Sequence, residues 1–181
     1  MRTFFTLCLC LAFSLAAFAD TLHVPSLSYS TIQDAIDAAM PGDVVMVCPG
    51  TYVENISFLG KAITVVSSHG PACTVIDGSQ PLNPDFGSVV MFLNHEGLDS
   101  VLDGFTLTNG TGTYVVGYPS YNYCGGGIVC WMASPCIKNC RFFKNTAREG
   151  GGLYGDHCES LIINCIFEEN HATDNGGGMY C

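Results

Sequence analysis

Three glycine triplets, opening at Gly125, Gly150 and Gly176, recur 25 and then 26 residues apart and constrain this chain more than any other feature. Between them the same residue types return: Ile137 and Ile162, Asn139 and Asn164, Cys140 and Cys165, Phe142 and Phe167, Asn145 and Asn170, each pair 25 residues apart. A fixed period of this length marks a repeat architecture, in which each unit buries its apolar face only against the next. The unit is too short for a two-helix repeat, which needs roughly 34 residues. Its short apolar runs, bounded by Gly, Asn and Ser, read as strands. The expectation is an all-β fold, a parallel β-helix with about 25 residues per rung and rungs about 4.8 Å apart. In such a stack Phe142 lies over Phe167 inside, and Asn145 lies over Asn170 at a turn. Asn tolerates left-handed backbone there, and its amide bonds the amide above. Asn139 with Asn164 and Cys140 with Cys165 complete the structural ladder, while the glycines permit tight bends between strands.

The segments GGGI, GGGL and GGGM, with Phe-x-x-Asn at Phe142 to Asn145 and at Phe167 to Asn170, carry a family resemblance. They resemble secreted bacterial right-handed β-helix repeat proteins and, more distantly, the repeats of chlamydial polymorphic outer-membrane adhesins. The stretch STIQDAIDAAMPGDVVMVCPGTYVENI, residues 30–56, resembles the start of pectin-lyase-like β-helices and of pectin methylesterases. These resemblances imply a right-handed β-helix and imply no activity, because one fold hosts many functions.

Residues 1–19 read as a secretion signal: Arg2 forms the positive end, 4–17 the apolar segment, and Ala17-Phe18-Ala19 a small-x-small cleavage site before Asp20. The apolar run falls short of the roughly 20 residues a membrane span needs. The mature chain, 20–181, is therefore expected to be exported: extracellular, at the cell surface or periplasmic, with no transmembrane span. Of 11 cysteines, Cys8 and Cys10 leave with the signal and nine remain. An oxidising compartment favours disulfides, and the odd number leaves at least one thiol over. Cys140 and Cys165 stack closely enough to bridge if side-chain geometry allows. Cys130 and Cys181, two rungs apart at roughly 9.6 Å, do not. The competing reading makes the cysteines small core fillers. Six basic residues stand against 16 acidic ones, a formal net charge of −10. That balance argues against nucleic acid and anionic surfaces, and against a polyuronate unless calcium intervenes.

A helix is expected over 29–40, with Ile32, Ala35, Ile36 and Ala39 on one face and Ser30 with Gln33 as its capping box. It would cap the open end of the first rung, with rungs filling 43–181. Strands are expected at 44–48, 52–58, 62–66, 74–76, 89–93 and 101–107, and residues 79–87 form an outer loop. Glu54 reads as a solvated turn residue. From Asn109 to Asn145 is 36 residues, so one rung carries an insertion of about 11, placed at 110–124. It holds Tyr114, Tyr118, Tyr121 and Tyr123, whose rings suit stacking on sugar faces. Insertions on one rung often form the binding flank. The alternative is that these rings pack the loop down.

No catalytic constellation is visible, so enzymatic activity is not expected from this chain. A lyase of this fold needs a Lys or Arg base beside a carboxylate-held calcium. Lys144 and Arg148 read as turn residues with no such cluster. A glycosidase needs converging carboxylates; Asp156 stacks on Trp131 and has no counterpart below. His157 and His171 read as solvated turn residues. No metal or other cofactor is expected, and nothing supports a calcium site. The reading is a secreted or cell-surface scaffold, adhesion or polysaccharide-binding surface, with a polysaccharide or cell-surface glycan as partner. The competing reading is the front end of a polysaccharide lyase or glycoside hydrolase with catalytic rungs beyond Cys181. Because the third copy stops before its second strand, the natural chain is expected to continue with further rungs.

Overall fold

The computed structural model describes residues 19–116 and 122–181. The fold is almost entirely β, and four sheets hold the strands. The chain visits the sheets in a fixed order. Cys136–Lys138 lies in the first, Arg141–Phe143 in the second, Thr146–Glu149 in the third and Leu153–Asp156 in the fourth. The next pass repeats that order with Leu161–Ile163, Ile166–Glu168, His171–Asn175 and Met179–Tyr180. Successive passes pair in parallel, Ile137 with Ile162, Phe142 with Phe167 and Ile128 with Leu153. Every second side chain along a strand therefore enters one interior, where Phe58, Phe92, Phe105 and Phe142 are fully buried. The Phe142 and Phe167 rings stack at 4.4 Å with 9° between planes.

The turns explain why the period holds. Left-handed backbone recurs at Gly104, Asn139 and Asn164 between the first and second sheets, and at Gly125, Gly150 and Gly176 between the third and fourth. In the first two triplets the remaining positions are glycine for a different reason. A Cβ on Gly126 would lie 2.4 Å from the Gly151 carbonyl oxygen, and one on Gly151 would lie 2.6 Å from that of Gly177. The passes approach too closely there for any side chain. Beside the triplets, Asn145 is completely buried and fully bonded. Its Nδ2 donates to the Leu107 carbonyl (2.9 Å) and to Asn170 Oδ1 (3.0 Å), and its Oδ1 accepts from the Gly110 N–H (3.0 Å). Asn164 Nδ2 donates likewise to Asn139 Oδ1 at 2.8 Å.

Several elements differ from the sequence reading. Thr106 pairs with Arg141, which stacks Asn109 beneath Lys144 and Gly110 beneath Asn145. Asn109 is thus a left-handed turn residue (φ 60°), not the counterpart of Asn145, and the inserted pass is one residue shorter than expected. A further strand, Thr21–Val24, precedes the helix and pairs in parallel with Val44–Val47. The helix, α1, spans Ile32–Ala38, and its capping box is Thr31 with Asp34 rather than Ser30 with Gln33. Gln33 is drawn elsewhere: its Oε1 accepts from the Ser57 N–H (2.8 Å) and its Nε2 donates to the Ser57 carbonyl (3.2 Å). Ile32, Ala35 and Ile36 pack into the core beside Thr21–Val24 and Val44–Val47. Both helix ends are held electrostatically. Glu54 accepts from the Ile32 and Gln33 N–H groups (3.0 and 3.1 Å), so it is a helix anchor and not a solvated turn residue. Lys61 Nζ donates to the carbonyls of Ile36, Asp37 and Ala39 at the other end. An anion at the N-terminus and a cation at the C-terminus both oppose the helix dipole.

Candidate functional site: a cleft and a tyrosine pair on one flank

Two consecutive passes are longer than the rest, and their extra residues meet. Thr64 pairs with Val101, 37 residues on, and that pass contains the loop around Phe86. Val101 pairs with Cys136, 35 residues on, and that pass contains an antiparallel hairpin of Gly112–Val115 and Asn122–Cys124. Gly112 and Thr113 pair antiparallel with Gly87 and Phe86, which joins hairpin to loop. Buried hydroxyls fix the junction: Thr113 Oγ1 donates to Ser88 Oγ (2.8 Å), and Ser88 Oγ to the Gly125 carbonyl (2.5 Å). Val115 and Cys124 turn down onto Met91, Val129 and Tyr154 on the outer face of the fourth sheet. This second apolar cluster lies outside the main core. Burial pushes the Cys124 thiol up to about 12, so it is an inert packing group.

Tyr114 and Tyr123 stand opposite one another on the hairpin's outer side, ring centroids 5.5 Å apart and tilted 59°. They are 39% and 41% exposed. The Tyr123 hydroxyl donates to Asp85 Oδ1 (2.9 Å), which raises its pKa above the usual phenol range. The Tyr114 N–H donates to the Asp85 carbonyl (2.7 Å), so Asp85 ties the pair to the loop. Tyr118 and Tyr121 lie outside the described residues.

On the far side of the same loop is a cleft of about 780 Å³, within the roughly 300–1,000 Å³ of small-molecule sites. Gln33 and Asp34 at the start of α1 form one wall, and Leu82 and Phe86 form the other. Met91 and Leu93 give an apolar floor that continues into the cluster beneath the hairpin. The carboxylates at its rim are already engaged. Glu54 holds α1, and hydrogen bonds from the Thr31 and Ser30 hydroxyls keep Asp34 below the usual carboxylate range. Asn55 is different. Its Nδ2 donates to the Gly78 and Ser88 carbonyls, while its buried Oδ1 has no partner. Among the described residues no Lys or Arg lines the cleft.

A smaller groove of about 610 Å³ runs over the second sheet, along Val75, Thr106, Arg141 and Ile166. Its cation is engaged: Arg141 Nε pairs with Glu168 at 2.6 Å and its guanidinium lies 4.2 Å from the Phe143 ring centroid. Three further cations pair across passes, Lys138 with Asp103 (3.4 Å), Lys144 with Glu169 (3.6 Å) and Arg148 with Asp174 (2.6 Å). Arg148 and His171 stand in strands, not in turns. His157 is in a turn and lies 2.8 Å from an Asp156 oxygen. Among the described residues no group of three or more His, Cys, Asp and Glu is arranged to hold a metal ion.

No disulfide joins the described cysteines. Cys140 and Cys165 stack without bridging: Cys140 Sγ lies 3.3 Å from the Lys138 carbonyl oxygen and Cys165 Sγ 3.4 Å from that of Ile163. The Cys140 thiol, buried and donating to Cys165, is held up, and Cys165 is correspondingly held below the ordinary thiol value.

Sequence reasoning placed the site on the hairpin and missed the cleft. The available signal was the second off-period pass, since two adjacent passes with extra residues have to place them side by side. Compared with known proteins, the chain matches no family model and no curated sequence. Among the described residues, no helix is long and apolar enough to cross a membrane.

Proposed function

We propose that this chain is an exported right-handed parallel β-helix repeat protein that binds an uncharged glycan on the flank built from residues 79–94, 112–116 and 122–124. The parallel register through successive passes and the glycine and asparagine ladders support the β-helix, and the signal-like residues 1–19 support export. The cleft beside Phe86 carries the binding reading. Sugar rings offer apolar faces and hydroxyl edges. Leu82, Phe86 and Met91 suit the first, while amides at Gln80, Asn83 and the unpaired Asn55 Oδ1 suit the second. Without a lining cation, and with a net charge of −10, the flank disfavours acidic polymers. Tyr114 and Tyr123 extend the same surface beyond Asp85.

Calorimetric titration of the purified chain against neutral and acidic oligosaccharides tests this reading. A neutral glycan binds, with little salt dependence, and Phe86→Ala weakens binding about tenfold. Absence of binding across the panel would leave only a structural role. Export is tested separately by sequencing the secreted N-terminus, which begins at Asp20.

A further inference from the structure

The inward column formed by the second residue after each glycine triplet's strand begins is irregular. Cys130 pairs with Gly155, and the register that pairs Leu153 with Met179 and Tyr154 with Tyr180 carries Cys181 over Gly155. The middle pass therefore has no side chain where its neighbours have thiols. The space is not empty. A Cβ built on Gly155 would lie 2.4 Å from Cys158 Sγ and 3.5 Å from Cys181 Sγ. Cys158, delivered by the turn after Leu153–Asp156, reaches back into the gap and packs against the core. Cys130 and Cys181, two strands apart, are beyond direct bridging. Cys158 stands between them, and the sulfur that shares the Gly155 gap with it is that of Cys181. Burial and then the neighbouring Cys158 raise both the Cys130 and the Cys181 thiols, and Cys130 is wholly enclosed. No metal-holding cluster accounts for the three sulfurs.

We propose that Cys158 and Cys181 form a disulfide that staples the second glycine-triplet rung to the third, leaving Cys130 as a buried thiol. The oxidant is a disulfide, either small-molecule or protein-borne. The Cys158 thiolate attacks one of its sulfurs, forming a mixed disulfide and releasing one thiolate. The Cys181 thiolate then attacks Cys158 Sγ and releases the second. Two protein thiols lose two protons and two electrons, and the oxidant leaves as two thiols. Gly155 is required because any side chain there would displace Cys158.

The test uses the full reduced chain, oxidised with glutathione disulfide, alkylated while folded, digested and mapped by mass spectrometry. The expected product is a cross-linked peptide pair holding Cys158 and Cys181, with Cys130 alkylated only after unfolding. Cys130→Ser leaves the linkage intact, whereas Gly155→Ala reduces its yield severalfold. Alkylation of Cys158 in the folded oxidised chain, or its linkage to Cys130, overturns the proposal. So does full cross-linking in Gly155→Ala. Because the oxidation is done on purified protein, the result is independent of export and of glycan binding.

Discussion

The glycine-triplet rungs of residues 125–180 and the inserted flank of residues 79–88, 112–116 and 122–124 solve the same problem in opposite ways. In the rungs, the core and turn positions that set the period are covered by like residues one pass away: Phe142 by Phe167, Asn145 by Asn170, Gly126 by Gly151. In the flank, nothing repeats. Apolar surface on the fourth sheet is covered by Val115 and Cys124 from a hairpin that runs antiparallel, and a few hydroxyls and Asp85 hold it down. Repetition yields a rigid frame with little room for a ligand. The inserted residues create a concave surface because they match nothing below them.

The comparison breaks most visibly in stability. Phe142→Ala removes a fully buried ring from the stack and should cost about 3–5 kcal/mol in urea denaturation, cavity included. Asn145→Ala comes next, at roughly 2–3 kcal/mol, because the Gly110 N–H and the Leu107 carbonyl lose buried partners. On the flank, Tyr123→Phe deletes one exposed hydrogen bond to Asp85 and should shift the urea midpoint least of the three. If Tyr123→Phe proved as damaging as Phe142→Ala, the distinction between frame and flank would fail. The smallest effect is chemical. Cys165, with its pKa held below the ordinary thiol value by the Cys140 S–H, is a thiolate at lower pH than an unperturbed cysteine. Its alkylation rate should therefore level off at a lower pH than that of the same thiol in the urea-unfolded chain. Cys140→Ala should shift the curve back upward.

The same division decided what could be read from the sequence. Recurrence at 25 residues names stacking partners directly, so Phe142, Phe167, Asn145 and Asn170 were legible with their contacts. Where recurrence ends, so does that legibility. Asn109 resembles Asn145 in type but serves a left-handed turn, and the residue beneath Asn145 is Gly110. Two overlapping capping patterns begin at Ser30 and Thr31. The choice was made by Ser57, which claims the Gln33 side chain from a distant strand. Glu54 looked like a surface acid because its partners, the Ile32 and Gln33 N–H groups, lie some 20 residues earlier. The cleft was hidden for the same reason: its walls come from α1, the strand after Glu54 and the loop near Phe86, and no local pattern joins them.

Backbone hydrogen exchange of the full chain, with and without a saturating neutral glycan, locates the binding surface. New protection is expected only at residues 80–94 and 112–115, while the amides of Gly126 to Ile128 and Gly151 to Leu153 stay unchanged. Protection gained instead along Val75, Thr106, Arg141 and Ile166 would contradict that expectation and move the site to the groove on the second sheet.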